Sequence, residues 1–393
     1  MKIGIIGARL AGSYASLLLS GLGHEVHLFD NSIDREKACG GGVTYKALRR
    51  MKWFHDHPLP HTEISVIRLT TRDGYTSDLP LPHPIYVFSR MSLDSHLRQW
   101  ATESGAHFRA ERVVGIHGDK SGWSIETGSG ATGVDYIVGA DGANSFVRAA
   151  LVGHYASGDL SLAVGYSLPG LYDPGTLLIS FQESGFHGYL WSFPRVDHSS
   201  VGIFRWLPGA HASDLRKRVE DFIAIHYPGV GSEKRFYAAR IPSLSRKSLV
   251  SQKVCGKKWA LLGDAAGFTD SITAEGIYYA LRSAELLAES FQRGNPMTYE
   301  SAWRADFKAD LESAAAWRDR FYCSMVLFET FIRRSLQSVR YSKTVQGLLD
   351  QLICGRLNYQ SLFRNLVLRS PNILVQVFRN KATYRMQDEG TAY

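Results

Sequence analysis

Apolar and polar positions change in blocks along the first part of the chain. Lys2–Ala8 is almost entirely apolar and predicts a buried parallel strand. Leu10–Leu22 has the spacing of a helix with a wide apolar face, and Glu25–Asp30 predicts a second strand. These three segments predict a βαβ unit, because their combined length of about thirty residues is usual for that motif.

The pattern then becomes more varied. Short alternating segments within Ser65–Leu81 predict two strands that turn at Asp73-Gly74. Arg90–Gly105 predicts a helix, and His107–Ile116 predicts one further strand. Residues 160–207 are rich in alternating aromatic and aliphatic positions, which is typical of an antiparallel sheet.

These blocks predict an α/β (α+β) fold with a Rossmann-type dinucleotide-binding domain. An antiparallel-sheet substrate domain is inserted into it, and a helical region follows. We expect the dinucleotide-binding domain to be discontinuous, formed by residues 1–150 and 255–300. The substrate domain then covers 151–254, and the helical, basic C-terminal region covers 301–393.

Charge is concentrated near the C-terminus. The formal net charge is +8, and the stretch Ser313–Arg385 alone carries +9, from twelve basic and three acidic residues. Such a surface suits anionic lipid, an acidic substrate or nucleic acid, although no nucleic-acid-binding module is visible and we expect none to bind. The basic residues are interleaved with aromatic ones, which also fits ordinary helix packing.

The cysteines and the lengths of the apolar runs indicate in which cellular compartment the protein works. The four cysteines are scattered, without a CxxC pair or a zinc-like His spacing, so we expect a reduced chain and no metal site. No apolar run reaches the length of a membrane-spanning helix. We therefore expect a cytoplasmic protein, with contact at the inner face of an anionic membrane as a further hypothesis.

The turn after the first strand resembles a dinucleotide-binding G-x-G-x-x-G motif. Gly7 and Gly12 supply its first and third glycines, and Arg9 replaces the middle one. Asp30 ends the second strand about twenty residues later, where a carboxylate can bind a ribose hydroxyl. A tightly packed βαβ unit without a nucleotide would show the same small residues. If a dinucleotide binds, we expect Arg9 to lie against its pyrophosphate.

Four motifs together resemble the geranylgeranyl reductase family of FAD-dependent oxidoreductases. They are Lys-Ala-Cys-Gly-Gly-Gly-Val at 37–43, Gly-Ala-Asp-Gly at 139–142, Tyr-Leu-Trp-Ser-Phe-Pro at 189–194, and Gly-Asp-Ala-Ala-Gly-Phe at 263–268. Their order and spacing over residues 1–300 are more specific than any single motif. The resemblance implies the fold of p-hydroxybenzoate hydroxylase-like flavoproteins.

The resemblance also implies which residues bind FAD. Asp264 would bind the ribityl chain, with backbone N–H groups of Gly276 and Ile277 near the flavin at the start of a helix. Each motif also has a plain structural interpretation, as a turn, a helix cap or a surface arginine. The complete set implied to bind FAD is Gly7, Arg9, Ala11, Gly12, Asp30, Gly40, Gly41, Gly42, Arg90, Val113, Asp141, Asp264, Gly276 and Ile277.

In the family, the aromatic segment lines the substrate cavity. Tyr189, Trp191 and Phe193 alternate and would share one face of a strand, followed by Pro194. The same alternation also suits an aromatic sheet core. The resemblance gives no assigned catalytic residue, and the candidates for a proton donor are Cys39 and Tyr189.

The resemblance implies reduction of C=C bonds in a prenyl or other apolar substrate by hydride from reduced FAD. NADPH or another external donor would reduce the flavin, since no separate nicotinamide domain is visible. A flavin monooxygenase is the alternative; a halogenase fits less well, because Tyr189 and Phe193 depart from the halogenase W-x-W-x-I-P strand. A flavin-bound protein without catalysis is a third hypothesis. Ser271 and Ala274 depart from the family's usual Pro and Gly.

Overall fold

The structure is a computed structural model that describes residues 1–32, 36–51, 53–183, 185–231, 233–322 and 328–390, without the side chains of 55, 328–332 and 382–390. Its strands are β1 (Lys2–Ile6), β2 (Glu25–Phe29), β3 (Gly42–Val43), β4 (Thr62–Thr71), β5 (Thr76–Val87), β6 (His107–Arg109), β7 (Val113–Gly118), β8 (Trp123–Thr127), β9 (Gly130–Val134), β10 (Tyr136–Gly139), β11 (Leu160–Pro169), β12 (Thr176–Phe181), β13 (Gly188–Pro194), β14 (His198–Trp206), β15 (Arg235–Pro242), β16 (Cys255–Gly256) and β17 (Trp259–Leu261). Its helices are α1 (Leu10–Gly21), α2 (Tyr45–Leu48), α3 (Trp53–Asp56), α4 (Arg90–Glu103), α5 (Phe146–Val152), α6 (Ala212–His226), α7 (Arg246–Ser251), α8 (Ile277–Gln292), α9 (Thr298–Asp306), α10 (Lys308–Tyr322), α11 (Phe328–Tyr341), α12 (Lys343–Ile353), α13 (Tyr359–Leu368) and α14 (Ser370–Gly390).

The first sheet is the dinucleotide-binding one. Its six strands have the order β16-β17-β10-β1-β2-β6, and all neighbours are parallel except β16 and β17. Apolar residues of β1 such as Ile3 and Ile5 are fully buried, and they share one core with residues of α1 and α8 and with Ile125 and Val134 of the three-stranded sheet β7–β9. The predicted βαβ unit is therefore present, with α1 as its crossover helix.

The predicted strand His107–Ile116 is wrong as a single element. The chain forms β6, which extends the first sheet, and then β7, which belongs to a separate three-stranded sheet of order β7-β8-β9. The intervening Ala110–Arg112 turns the chain from one sheet to the other. Periodicity could not reveal the break, because both pieces are strand-like.

The second sheet has eight strands in the order β15-β11-β14-β13-β12-β4-β5-β3. Its pairings are antiparallel except at one place, where β12 pairs with β4 in parallel, from Thr176 opposite Val66 to Phe181 opposite Thr71. Strands β3, β4 and β5 precede residue 151, so this sheet also includes strands from the segment that sequence analysis assigned to the dinucleotide-binding domain.

The C-terminal helices cover one part of the second sheet. Val339 of α11, Val345 of α12 and Ile373 of α14 pack in one buried apolar cluster with Ile67 and Leu79 of the sheet. Helices α8 to α10 instead contribute to the main core around the first sheet. The α/β class, the Rossmann-type sheet, the inserted sheet and the helical C-terminal region are thus confirmed.

Candidate active site

A cavity of about 1410 Å³ runs between the two sheets. One end is polar and glycine-rich, and lies at the carboxyl ends of β1, β2 and β10, where ligands bind to open α/β sheets. The other end is apolar and lies between the second sheet and the C-terminal helices. Its wall includes Ile67, Leu69, Leu79, Ile85, Leu177, Ile179, Leu336, Val339, Val345, Leu349, Leu352, Ile353, Leu362, Phe363, Leu366 and Ile373. The two ends form one continuous space.

The glycine turn after β1 brings backbone close to backbone. Gly7 has φ of +103°, and a Cβ there would lie 2.4 Å from the carbonyl oxygen of Ala140. A Cβ on Gly12 would lie 1.8 Å from the carbonyl oxygen of Gly7. Gly7 and Ala11 line the cavity, whereas Gly12 does not. Gly12 therefore allows the helix to pack against the turn and does not itself face the cavity.

Asp30 and Arg9 lie beside that turn. The Asp30 carboxylate accepts hydrogen bonds from the backbone N–H of Ala8 and from the N–H of Ser32, each at 2.8 Å. The Arg9 guanidinium donates to the carbonyl oxygen of Ser32 at 2.7 Å and lies 3.3 Å from the Asp94 carboxylate. Asp30 and Arg9 both line the cavity, so both remain available to a ligand.

Arg90 begins helix α4 and is almost fully buried. It forms a 2.9 Å ion pair with Asp94, one helical turn later. Asp94 therefore lies between two guanidinium groups, those of Arg90 and Arg9, which compensate the cost of its burial. Arg90 lines the cavity, as the resemblance implies.

Asp141 acts as a helix cap as well as lining the cavity. Its carboxylate accepts from the backbone N–H of Phe146 at 2.7 Å and of Val147 at 3.2 Å, at the start of α5. Burial raises the pKa of Asp141 in spite of these hydrogen bonds. Gly142 beside it has φ of +83° and open space where a Cβ would stand. Asp141 thus both caps α5 and lines the cavity. Val113 also lines the cavity, at the first residue of β7.

Asp264 lies at the end of β17, in the turn before α8. Its carboxylate accepts from Lys37 Nζ at 3.0 Å and from Thr269 Oγ1 at 3.2 Å. Burial raises its pKa, but the positive charges of Lys37 and Arg90 lower it by more, so the pKa of Asp264 lies below its ordinary value. Asp264 is therefore ionised at neutral pH. Gly276 and Ile277 follow at the start of α8 and line the same part of the cavity.

The loop Cys39–Gly42 is held by two residues that sequence analysis missed. Arg195 is 1% exposed and donates to the carbonyl oxygens of Cys39 and Gly40. It also forms an ion pair with Glu36. Burial raises the pKa of Glu36, but Arg195 and hydrogen bonds from residues 89–91 lower it more, so the carboxylate is ionised. The only signal in the sequence for this role of Arg195 was its position directly after the aromatic strand.

The aromatic strand β13 presents alternate side chains to the cavity. Tyr189, Trp191 and Phe193 line it, while Pro194 is buried away from it and does not. Pro194 therefore lies outside the cavity lining, because the alternation that points Phe193 inward points Pro194 to the other face. Gly40 and Gly42 give space to the Phe193 ring, since a Cβ on either would approach it to 3.0 or 2.9 Å.

The polar end fits an extended dinucleotide such as FAD. Glycines at positions 7, 40–42, 142 and 276 expose backbone to the cavity, and the start of α8 supplies free N–H groups for an electronegative ring edge. Arginine, lysine and carboxylate side chains line the same space. Among the described residues, no group of three or more His, Cys, Asp or Glu could hold a metal ion.

Comparisons with known proteins agree with this geometry. The FAD binding domain family matches residues 1–163. Geranylgeranyl diphosphate reductase of Synechocystis sp. is 24% identical over 96% of this chain and 96% of its own length. Digeranylgeranylglycerophospholipid reductase 2 of Methanothermobacter thermautotrophicus is 27% identical over 80% of this chain and 86% of its own length.

Solved structures share the fold. A geranylgeranyl bacteriochlorophyll reductase-like protein from Thermoplasma acidophilum superposes with a TM-score of 0.69 at 18% identity, covering 96% of this chain and 98% of its own. A flavin-dependent brominase also reaches 0.69, at 17% identity, over 95% and 100% of the two chains. The fold by itself therefore does not decide between reduction and oxygen-dependent chemistry.

Fold, site and comparisons together define an FAD-dependent oxidoreductase. The resemblance to the geranylgeranyl reductase family, first visible in four short motifs, is confirmed by relatives that match most of the chain.

Proposed function

We propose that this oxidoreductase reduces C=C bonds of a prenyl, geranylgeranyl-type substrate. The single observation that carries the proposal is the continuity of the cavity, in which the polar end opens into an apolar compartment. A compartment walled by aliphatic side chains from the sheet and four helices, α11 to α14, suits a long hydrocarbon chain, because each buried methylene contributes about 0.8 kcal/mol. The two reductases compared above are named for geranylgeranyl substrates, which supports this choice.

FAD is placed in the polar end of the cavity by this proposal. Reduced FAD would supply the hydride. Asp30 would bind the ribose of the adenosine half and Asp264 the ribityl chain, with Gly276 and Ile277 beside the isoalloxazine. The Cys39–Gly42 loop and the aromatic face of β13 would enclose the reacting part of the substrate next to the flavin. The remaining proposed contacts are Gly7, Ala11, Arg90, Val113 and Asp141.

Arg9 is proposed to lie against the FAD pyrophosphate. We expect Arg9→Gly to weaken FAD binding by roughly tenfold or more, because a hydrogen bond to a charged group contributes about 1.5–3 kcal/mol. Flavin fluorescence during titration of the apoprotein measures this. Arg9→Lys keeps the charge and should lose less. The turn tolerates glycine at this position, because glycine is the usual residue of the motif, so Arg9→Gly removes only the arginine side chain. An unchanged dissociation constant for FAD in this variant would therefore contradict the assignment.

A flavin monooxygenase on the same fold is the second candidate, and the shared fold of the brominase favours keeping it. The decisive experiment reduces the purified flavoprotein anaerobically and adds geranylgeranyl compounds. Reoxidation of the flavin without O₂, with loss of a substrate double bond, supports the reductase. Reoxidation by O₂ alone with an oxygenated product identifies a monooxygenase, and a colourless protein that takes up no FAD contradicts both.

The electron donor is proposed to be external to the chain, with NADPH as the first candidate. Bleaching of the oxidised flavin by NADPH in the absence of O₂ tests it. If NADPH leaves the spectrum unchanged while a ferredoxin-like protein bleaches it, the donor is a protein.

We also propose that the apolar end of the cavity opens at an anionic membrane surface. Five exposed apolar side chains lie on α13 and α14, and we call them the apolar rim: Val367, Leu368, Leu374, Val375 and Phe378, which are 55–72% exposed. Val367 and Leu374 also line the cavity. The rim therefore lies where the apolar compartment reaches the surface.

Charge around the apolar rim favours anionic lipid. Arg364 of α13, Arg379 of α14 and Arg369 between the two helices are exposed, and no acidic residue occurs from Tyr359 to Lys381. Each basic residue near an anionic surface contributes about 1 kcal/mol to binding. No helix within the described part of the chain is long and apolar enough to cross a membrane. We propose that the apolar rim and these arginines make the contact at the surface of the bilayer.

A further inference from the structure

Saturation of a C=C bond requires a proton as well as a hydride. The two candidates from sequence, Tyr189 and Cys39, both make hydrogen bonds with neighbouring backbone. The Tyr189 hydroxyl donates its one proton to the carbonyl oxygen of Thr273 at 2.6 Å, and burial raises its pKa far above neutrality. The Cys39 sulfur accepts from the backbone N–H of Gly41 at 3.3 Å, in the turn that shapes its loop.

A third acid lies in the same region of the cavity. Glu275 lines the cavity directly before Gly276 and Ile277, the residues proposed to lie beside the isoalloxazine ring. Thr44, two residues after Gly42, donates to its Oε1 at 3.0 Å and also lines the cavity. Glu275 thus lies between the two segments proposed to enclose the reaction centre, the Cys39–Gly42 loop and the start of α8.

We propose that Glu275 is the proton donor of the reduction, an inference that rests on the proposed function. The hydride from reduced flavin adds to one alkene carbon, and the Glu275 carboxyl proton adds to the other. The π bond breaks, two C–H bonds form, and the flavin is oxidised by two electrons. Glu275 is left as a carboxylate, which regains a proton from solvent.

The surroundings of Glu275 suit a carboxyl group that changes protonation near neutral pH. Burial raises its pKa to about 6, and the carboxylates of Asp270 and Asp310 act in the same direction. Lys46 and the Thr44 hydroxyl lower it. Lys46 is itself held 2.9 Å from Asp310, which reduces its effect on Glu275. The groups that face this site from the packed elements are Lys46 of α2, Asp270 before α8, Tyr279 of α8, Asp310 of α10, Tyr359 of α13 and Tyr189 of β13.

A general acid must be protonated, so the predicted activity is high below the pKa of Glu275 and falls as pH rises through it. In the FAD-loaded protein, we expect Glu275→Gln to slow anaerobic reoxidation by geranylgeranyl diphosphate by about 10²–10⁴-fold. The dissociation constant of FAD and the unfolding midpoint should remain close to those of the parent protein. The falling limb of the pH profile should disappear.

Thr44→Val provides a variant with a different signature. The substitution is nearly isosteric and removes a hydrogen bond that stabilises the Glu275 carboxylate, so the pKa of Glu275 should rise. Its pH limb should therefore move to higher pH and not disappear. Such a shift is not expected if Glu275 only supports the fold.

Infrared titration of the FAD-loaded protein gives a readout independent of turnover. The parent protein should show a protonated-carboxyl band that is lost with a pKa of about 6 and is absent from Glu275→Gln. A parent spectrum without that band, or a variant reoxidised at the parent rate, overturns the donor role while leaving the reductase intact. If no prenyl compound reoxidises the parent protein, the proposed function fails, and the donor role fails with it.

Discussion

Arg195→Met is expected to destabilise the folded protein by about 3–5 kcal/mol at neutral pH, because it leaves the carboxylate of Glu36 in a largely buried place without its ion partner. Methionine has a similar length and adds no charge. The Cys39–Gly42 loop also loses its two carbonyl contacts with Arg195, so the variant should bind FAD more weakly. Denaturant unfolding and FAD titration measure the two effects separately.

The loss from Arg195→Met should depend on pH with a defined sign. In the parent protein the pKa of Glu36 lies below its ordinary value, so its ionisation stabilises the fold above the unfolded-state pKa, and this contribution is lost as pH falls through the folded-state pKa. In the variant Glu36 can become neutral on acidification. The difference between the two proteins should therefore shrink below the ordinary pKa of a glutamate.

Arg216→Met is the matched control for the buried pair. Arg216 pairs with Glu220 at 3.0 Å, but their side chains are 54% and 38% exposed. Exposed ion pairs contribute little, since water screens both charges. Equal destabilisation by the Arg195 and Arg216 substitutions would contradict the anchor role of Arg195. Adding Glu36→Gln to Arg195→Met should recover part of the lost stability, because no buried charge then remains unpaired.

Replacement of Val375 and Phe378 by glutamate is expected to reduce binding to anionic vesicles by at least about 100-fold. Each side chain contributes about 1.5–3 kcal/mol when it leaves water for an apolar phase. The added negative charges also oppose an anionic surface. Neither residue lines the cavity, so detergent-dispersed substrate should still reoxidise the flavin. Flotation with phosphatidylglycerol and with phosphatidylcholine vesicles measures binding.

The matched control places the same two charges on another surface. Ile225 and Phe236 are 73% and 48% exposed, and both lie in the inserted segment between residues 151 and 254. Their replacement by glutamate should leave vesicle binding close to that of the parent protein. Equal loss in both double variants would show that net charge, and not the apolar rim, governs binding. Self-association through the rim, detected by light scattering without vesicles, would also contradict the membrane proposal.

The sequence predicted most of the fold because its signals are local. The βαβ unit could be recognised from hydrophobic periodicity and from Gly7, since the turn allows almost no other residue there. Alternation predicted that Tyr189, Trp191 and Phe193 share one face of β13, whereas only the family resemblance implied that this face lines the cavity. Pro194 was assigned to the substrate wall as part of its motif, although the same alternation turns it away from the cavity.

The parts that could not be predicted depend on contacts between distant segments. Arg195 and Glu36 are 159 positions apart, and nothing in either local pattern links them. Thr44 and Glu275 are separated by 231 positions. The glycines and aspartates of the motifs were therefore predictable from the sequence, whereas the charged residues that hold these segments were not. The sequence also did not predict that β3, β4 and β5 belong to the second sheet. Pairing between strands that are distant in the chain has no local signal.

The parallel pairing of β12 with β4 has a consequence for how the chain reaches this fold. About a hundred residues separate the two strands, and parallel neighbours need a long crossover. During synthesis, one edge of β4 stays unpaired until β12 has been synthesised. By then the first sheet already has most of its strands. Such late, long-range pairing slows folding and leaves an unpaired strand edge that is prone to aggregation. A fragment ending near residue 150 should consequently aggregate, and a nick in the 151–254 segment should disturb both sheets.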